Sequence, residues 1–271
     1  MQELKHRCAV ITGGAGLLGR AMALRFAREG MNVVVSDLRK DAAEAVADEV
    51  RKLGVKAIGV GTDVANADSV DQLAERAYAE FGAVHLLCNN AGAVRLKPFV
   101  ELTRDDWQLV FGVQFNGVLN GIQTFMPRLI AQGGESHIVN TSSMSGVGVP
   151  DMRQLNAPYV TAKFAVVGLT EVMAASLAEH NIGVSVLCPG FTVADPDGFD
   201  PKNFLMPAAA WYRDNLLPPE AVADEVVHGV RENRLHIFPH RAGRSEVQAR
   251  HDKLMHAFDQ AEKTSWPLHK R

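Results

Sequence analysis

The feature that most constrains the fold is a short, largely apolar run, Arg7-Cys8-Ala9-Val10-Ile11-Thr12. It gives way to Gly13-Gly14-Ala15-Gly16-Leu17-Leu18-Gly19 and then to a helical pattern ending at Gly30. A strand that passes through a glycine-rich turn directly into a helix has few architectures open to it. In the spacing Gly14-x-Gly16-x-x-Gly19 the missing Cβ atoms let backbone N–H groups approach a pyrophosphate at the helix N-terminus. Glycine turns also join plain strands to helices, so it is the position after a strand that gives the spacing weight.

The pattern repeats. Asn32-Val33-Val34-Val35-Ser36-Asp37 reads as a second buried strand whose final acid lies 18 residues after Gly19. An acid there can hydrogen-bond the adenosine ribose hydroxyls and repel a 2′-phosphate, so NAD is expected rather than NADP. Arg39, two residues later, can soften that choice, and a solvated helix-start residue is the plainer role for Asp37. A helix over 41–53, a strand over 55–61, a helix over 67–81 and a strand over 83–88 follow. Gly30, Gly54 and Gly82, and later Asn181, fall where left-handed caps end helices. Repeated βαβ units of this kind build a parallel sheet covered on both faces by helices, with ligands at the carboxyl ends of the strands.

Two strand ends carry polar or small residues suited to such a crevice. Thr62-Asp63-Val64 can meet an adenine edge, and Asn89-Asn90-Ala91-Gly92 offers amides and an unhindered backbone; both stretches also suit ordinary turns. Thr103-x-x-Asp106 is a capping box for a helix that carries Trp107, Val110, Phe111 and Phe115 and runs to about Ile130, with Pro127 bending or breaking it near its end. A fifth strand over 137–141 leads into Ser142-Ser143-Met144-Ser145-Gly146, and a sixth over 183–188 ends in Pro189-Gly190. A helix over 219–232 and a strand over 235–238 complete seven parallel strands. A last helix over 243–262, with Val247, Leu254, Met255 and Phe258 toward one side, packs on a neighbouring subunit, on a lid or on its own chain.

Between the fifth and sixth strands lies Asn156-Ala157-Pro158-Tyr159-Val160-Thr161-Ala162-Lys163. On a helix, Tyr159 and Lys163 share one face, so the ammonium can act on the phenol. A tyrosine that works as acid or base near neutrality needs its pKa lowered by roughly 3 units, about 4 kcal/mol of extra stabilisation of the phenolate, which a lysine and a cationic nicotinamide can supply. Composition alone produces such a pair in about one chain in ten, so its meaning depends on its surroundings.

Composition narrows the partners. With a net charge of −3 and charges spread along the chain, there is no basic field for nucleic acid or an anionic membrane, and neither is expected as a partner. Cys8, Cys88 and Cys188 are far apart and sit in or beside apolar runs, which suits buried thiols better than disulfides. The 10 histidines form no spaced cluster with Cys, Asp or Glu, so no metal is expected. The opening residues read directly into a strand and no run of 18 apolar residues occurs, so a cytoplasmic protein is expected.

Taken in order, the glycine turn, Asp63-Val64, Asn89-Asn90-Ala91-Gly92, Ser142-Ser143, Tyr159-x-x-x-Lys163 and Pro189-Gly190 resemble the compact, single-domain short-chain dehydrogenase/reductase family over about residues 5 to 240. The resemblance implies a Rossmann-type doubly wound α/β domain over 1–242, with a substrate loop at about 191–218 and a C-terminal helix and tail over 243–271. It implies that Tyr159 is the acid/base, that Lys163 lowers its pKa and binds the nicotinamide ribose, and that Ser143 hydrogen-bonds the substrate oxygen. It also assigns cofactor contacts to Gly13, Gly16, Leu17, Leu18, Gly19, Asp37, Leu38, Asp63, Val64, Asn90, Ala91, Gly92, Pro189, Gly190 and Thr192, along with Tyr159 and Lys163, and implies a homodimer or homotetramer.

Three positions depart from the family pattern. Leu17 stands where the turn usually has glycine, Gln114 where the long helix has a relay asparagine, and Ala194 where the loop has threonine, with Thr192 near enough to meet the nicotinamide amide instead. Phe199, Phe204, Leu205, Met206, Trp211, Tyr212, Leu216 and Leu217, broken by Pro201 and Pro207, make the loop a lid for a hydrophobic or aromatic substrate, with Met144, Val149 and Met152 able to line the same pocket. The tail, with Val113-x-x-Asn116-Gly117-Val118-Leu119-Asn120-Gly121, is similar to bacterial members that oxidise benzylic alcohols in lignin-derived aryl ethers. The expected activity is NAD-dependent hydride transfer between a hydrophobic or aromatic secondary alcohol and its ketone. The alternatives are a 3-ketoacyl carrier reductase and a dinucleotide-binding protein without catalysis; a hydrolase reading is poor because no Ser-His-Asp or Gly-x-Ser-x-Gly arrangement surrounds Ser143.

Overall fold

The structure is a computed structural model that describes residues 1–148, 156–196 and 215–262. Seven parallel strands, β1 (Cys8–Thr12), β2 (Asn32–Asp37), β3 (Ala57–Gly61), β4 (Leu86–Asn89), β5 (Ser136–Thr141), β6 (Ile182–Leu187) and β7 (His236–Ile237), lie in the order β3-β2-β1-β4-β5-β6-β7. The order reverses between β1 and β4, which opens a crevice at the carboxyl edge of the sheet. The expected doubly wound α/β sheet is the one observed.

The helices are α1 (Leu17–Arg28), α2 (Lys40–Arg51), α3 (Ala67–Phe81), α4 (Arg104–Phe111), α5 (Gly117–Gln132), α6 (Ala157–Leu177), α7 (Pro219–Arg231) and α8 (Arg244–Glu262). Successive strand residues face opposite layers. Ala9, Ile11, Val33 and Val35 join Phe26, Val46, Val226 and Val230 on one face, whereas Val10, Val34, Leu87 and Ile138 join Leu73, Phe125, Val166 and Leu177 on the other. The sheet is thus a hydrophobic partition whose strands read as unbroken apolar runs because both faces are covered.

Helix ends follow the expected chemistry. Gly30, Gly54, Gly82 and Asn181 all have positive φ, and Thr103 and Asp106 form the reciprocal capping box of α4. Pro127 departs from expectation: α5 runs through it to Gln132, and the irregularity lies earlier, in a single π-turn over Gly112–Asn116 between α4 and α5. Among the described residues one helix, Ala157–His180, is long and apolar enough to cross a membrane by length and composition; here it lies against β5 and β6. Cys8, Cys88 and Cys188 are free and buried, as expected.

The first half of α8 seats against its own chain. Glu246 and Val247 lie beside Gly148, and the Arg250 guanidinium stacks 4.9 Å from the Phe164 ring centroid. Leu254, Met255 and Phe258 stand exposed. Phe199, Phe204, Leu205, Met206, Trp211 and Tyr212, the two loop prolines Pro201 and Pro207, and Val149 and Met152 lie outside the described residues.

Candidate active site

The glycine turn meets the ends of β2 and β4. Gly13 has φ +63°, and a Cβ there would be 2.7 Å from the Ala91 Cα; a Cβ on Gly19 would overlap the Gly13 carbonyl. The turn therefore closes backbone on backbone. The α1 terminus has no side-chain cap and no acid in its first turn, so the N–H groups of Leu17, Leu18 and Gly19 are free for an anion. Leu17 and Leu38 stand 45% and 74% exposed beside this cradle. Leu17, in the place usually held by glycine, thus lies outside the tight part of the turn.

Asp37 ends β2 with its carboxylate turned toward the same turn. It accepts hydrogen bonds from the Ala15 N–H and the Arg39 N–H, both at 3.2 Å, and Arg39 Nε lies 3.8 Å away. At the end of β3, Asp63 accepts from the Ala65 N–H at 3.0 Å, so this carboxylate shapes the entry to α3; Val64 is buried and its carbonyl accepts from Asn120 Nδ2.

The Asn89-Asn90 pair is bonded within the sheet. Asn89 Nδ2 donates to Asn140 Oδ1 at 2.9 Å, and Asn140 Nδ2 to Thr170 Oγ1 at 3.1 Å, a buried link from β4 through β5 to α6. Asn90 Nδ2 donates to the Thr12 carbonyl at 3.0 Å, while the N–H groups of Asn90 and Ala91 donate to Thr12 Oγ1. Both side-chain amides tie strands together, so this stretch can offer a ligand backbone rather than amide side chains. Thr12 and Asn140 escaped the sequence reading because their partners are 78 and 51 residues away.

Ser143, Tyr159 and Lys163 are brought together between the ends of β5 and β6. Ser143 lies two residues past β5; its hydroxyl donates to the Pro189 carbonyl at 3.5 Å, accepts from the Ser145 N–H at 3.1 Å and is near enough to the Tyr159 phenol to favour its ionised form. Lys163 Nζ lies 5.4 Å from the Tyr159 ring centroid and donates to the Thr141 carbonyl at 2.7 Å. The hydroxyl of Ser142 donates to the Lys163 carbonyl at 2.8 Å, so two consecutive residues hold this lysine at both ends. Gly146 closes the turn; a Cβ there would be 2.6 Å from the Lys163 carbonyl oxygen and would overlap Ser142 Oγ.

Electrostatics of the chain alone run against the expected pairing. Burial pushes the Tyr159 phenol up, with the Ser143 hydrogen bond pulling the other way. Burial pulls Lys163 down to about 7, countered by Cys188, whose own thiol burial raises to about 12. Desolvation disfavours both charged forms. In the chain alone, Lys163 does not bring the Tyr159 pKa below its ordinary value.

Gln114 is buried in the π-turn. Its Nε2 donates to the Ala93 carbonyl at 2.8 Å, and its Oε1 has no partner. The amide thus braces the backbone after Gly92. From there the segment leaving β4 shows Val94, Leu96, Phe99 and Val100 exposed, and Lys97 pins it to the α4 cap through Asp106 at 2.8 Å. Thr192 Oγ1, past Pro189 and Gly190, is also buried without a partner. The set fits a dinucleotide: a cradle with free N–H groups, a carboxylate able to meet hydroxyls and an orphaned hydroxyl at Thr192.

Comparisons with known proteins agree. Residues 7–199 match the family model described as short chain dehydrogenase. The chain is 33% identical over 255 residues to the C alpha-dehydrogenase of Sphingobium sp. strain SYK-6, an alignment covering 89% of this chain and 82% of that one. It is 35% identical over 191 residues, 70% of this chain and 77% of the other, to the 3-oxoacyl-acyl-carrier-protein reductase FabG of Staphylococcus epidermidis. A short chain dehydrogenase/reductase from Burkholderia phymatum, solved in complex with NAD, superposes with a TM-score of 0.85 at 33% identity, over 95% of this chain and 97% of that one.

Proposed function

The chain belongs to the short-chain dehydrogenase family and is an oxidoreductase of that family, and from that premise we propose that it uses NAD to interconvert a hydrophobic or aromatic secondary alcohol and its ketone. The observation that carries this reading is the cluster of Ser143, Tyr159 and Lys163 at the carboxyl edge of β5 and β6, in the same crevice as the glycine turn and Asp37.

NAD, when bound, supplies the hydride acceptor, and its cationic ring supplies the charge that the buried phenol lacks. Gly13, Gly16, Leu17, Leu18 and Gly19 would hold the pyrophosphate, Asp37 and Leu38 the adenosine, Asp63 and Val64 the adenine edge, and Asn90, Ala91 and Gly92 the neighbouring ribose through backbone. Lys163 would bind the nicotinamide ribose, and Pro189, Gly190 and Thr192 the carboxamide end. Tyr159 takes the alcohol proton as phenolate, or gives one to the ketone as phenol. Ser143 orients the substrate oxygen, and the apolar side chains leaving β4 support a hydrophobic substrate, as does the C alpha-dehydrogenase relative.

Tyr159→Phe tests the assignment. Turnover is expected to fall by roughly 10²–10⁴-fold, the usual contribution of a general acid-base group, with NADH affinity nearly unchanged; activity equal to wild type would overturn it. The FabG relative favours a second reading, reduction of a carrier-bound 3-oxoacyl group. A panel of aryl, aliphatic and steroid alcohols and ketones set against an acyl-carrier substrate, each with both cofactors, separates the two.

A further inference from the structure

His240 lies beyond β7, in the turn leading to α8, and is buried, at 6% exposure. One stretch of backbone engages both of its ring nitrogens. The Gly190 N–H donates to Nδ1 at 2.9 Å, and Nε2 lies 3.0 Å from the Phe191 carbonyl. An acceptor at Nδ1 and a donor at Nε2 define a single neutral tautomer. The ring rests directly on Gly190, where a Cβ would be 2.9 Å from both Cγ and Cδ2.

The same backbone is tied on its other sides. The Pro189 carbonyl accepts from the Met144 N–H at 2.9 Å, and the Phe191 carbonyl accepts from the Leu217 N–H at 3.3 Å. Thr192 bridges to Leu217, and the Val193 N–H donates to the Leu217 carbonyl at 3.2 Å. His240 therefore sits where the end of the sheet, the turn after Ser143 and the two ends of the substrate loop converge.

We propose that His240 is a positioning residue: by holding the Gly190 N–H and the Phe191 carbonyl at once, it fixes the Pro189–Val193 backbone and presents the orphaned Thr192 hydroxyl to the dinucleotide. The contribution to cofactor binding rests on the NAD reading; the clamp on Gly190 and Phe191 does not. Protonation at Nδ1 would set a donor against the Gly190 N–H and open the clamp. Burial pulls the His240 pKa below its ordinary value, with the Phe191 bond pulling the other way, so the clamp is closed at neutral pH and opens on acidification. Among the described residues, the charged and titratable groups on the segments it joins are Arg241, Arg244 and Glu246 on its own side and Cys188 and Asp195 on the side of Gly190 and Phe191.

The test compares wild type, His240→Ala and His240→Asn by 15N NMR and amide exchange of the free protein, and by NADH fluorescence titration over acid to neutral pH. Asn keeps an acceptor for the Gly190 N–H and does not titrate. The expected results are an Nε2-protonated His240 in wild type and exchange at Gly190 and Leu217 about tenfold faster in His240→Ala. NADH affinity should fall by roughly fivefold in His240→Ala and be largely regained in His240→Asn. Wild-type affinity should also fall on the acid side in a step absent from His240→Asn. A different tautomer or unchanged exchange overturns the clamp. Faster exchange with NADH affinity and pH profile unchanged overturns its link to the cofactor. Wild type that binds no NADH overturns the functional reading, and with it the cofactor link, while the NMR data still decide the clamp.

Discussion

At the scale of a single residue, the proposed preference for NAD rests on Asp37. Its carboxylate is fixed between the Ala15 and Arg39 N–H groups at the end of β2, and Arg39, a cation that could welcome a 2′-phosphate, has Nε 3.8 Å from it. Asp37→Ala removes the repulsion and frees the guanidinium together. The NADP:NAD ratio of kcat/KM should rise by roughly tenfold or more, equivalent to at least about 1.4 kcal/mol, and an unchanged ratio would show that discrimination lies elsewhere. Asp37 was legible in the sequence because its place is local, at the end of an apolar run and a fixed distance from a glycine turn. Asn90 and His240 were not. Their partners, Thr12, Gly190 and Phe191, are brought to them by the fold, and nothing in the neighbouring residues marks an amide that will bind strands or an imidazole that will clamp a turn.

Among elements, the register of α6 against β5 matters most to the chemistry. The end of β5 reaches α6 through Thr141 and Ser142, which hold Lys163 at its ammonium and its carbonyl, and deeper in the sheet through Asn140 on Thr170. Gly146 allows the close approach. In Gly146→Ala the new Cβ would press on Ser142 Oγ and the Lys163 carbonyl, displacing the first turns of α6 and with them Tyr159. Since a misplacement of about 1 Å can cost 10²-fold in rate, turnover is expected to drop by about that factor while circular dichroism changes little; full activity would show that α6 is not held there. The sequence made element order and type readable because periodicity and caps are local. The break between α4 and α5 was misplaced at Pro127, since a missing N–H inside a packed helix is tolerated, whereas the π-turn that sends Gln114 inward has no sequence signal of its own.

At the scale of the whole molecule, orphaned polar atoms occur at both ends of the sheet: Thr192 Oγ1 and Gln114 Oε1 toward the carboxyl edge, Ser136 Oγ and His137 Nδ1 at the amino end of β5. His137 Nε2 meets Ser185 Oγ at 2.8 Å, and the ring is held neutral, its pKa pulled down to about 3 by burial and then by the Met1 ammonium. The unfolded chain takes up this proton near its ordinary pKa and the native state does not. Stability from His137 is therefore complete above pH ~6.5 and is lost as pH falls toward the native value, at up to about 1.4 kcal/mol per unit. Urea unfolding of wild type and His137→Gln over that range should show the slope in wild type and a flatter line in the variant; parallel profiles would remove His137 as the cause. The tail carries a different consequence. With 19 residues, α8 is about 28 Å long; its near end is seated beside Gly148 and Phe164, its far end carries Phe258 at 66% exposure, and its root adjoins His240. Its seat lies close to its root, so a swing of the exposed end would bear, across that seat, on the peptide that His240 engages and through it on the proposed nicotinamide contact.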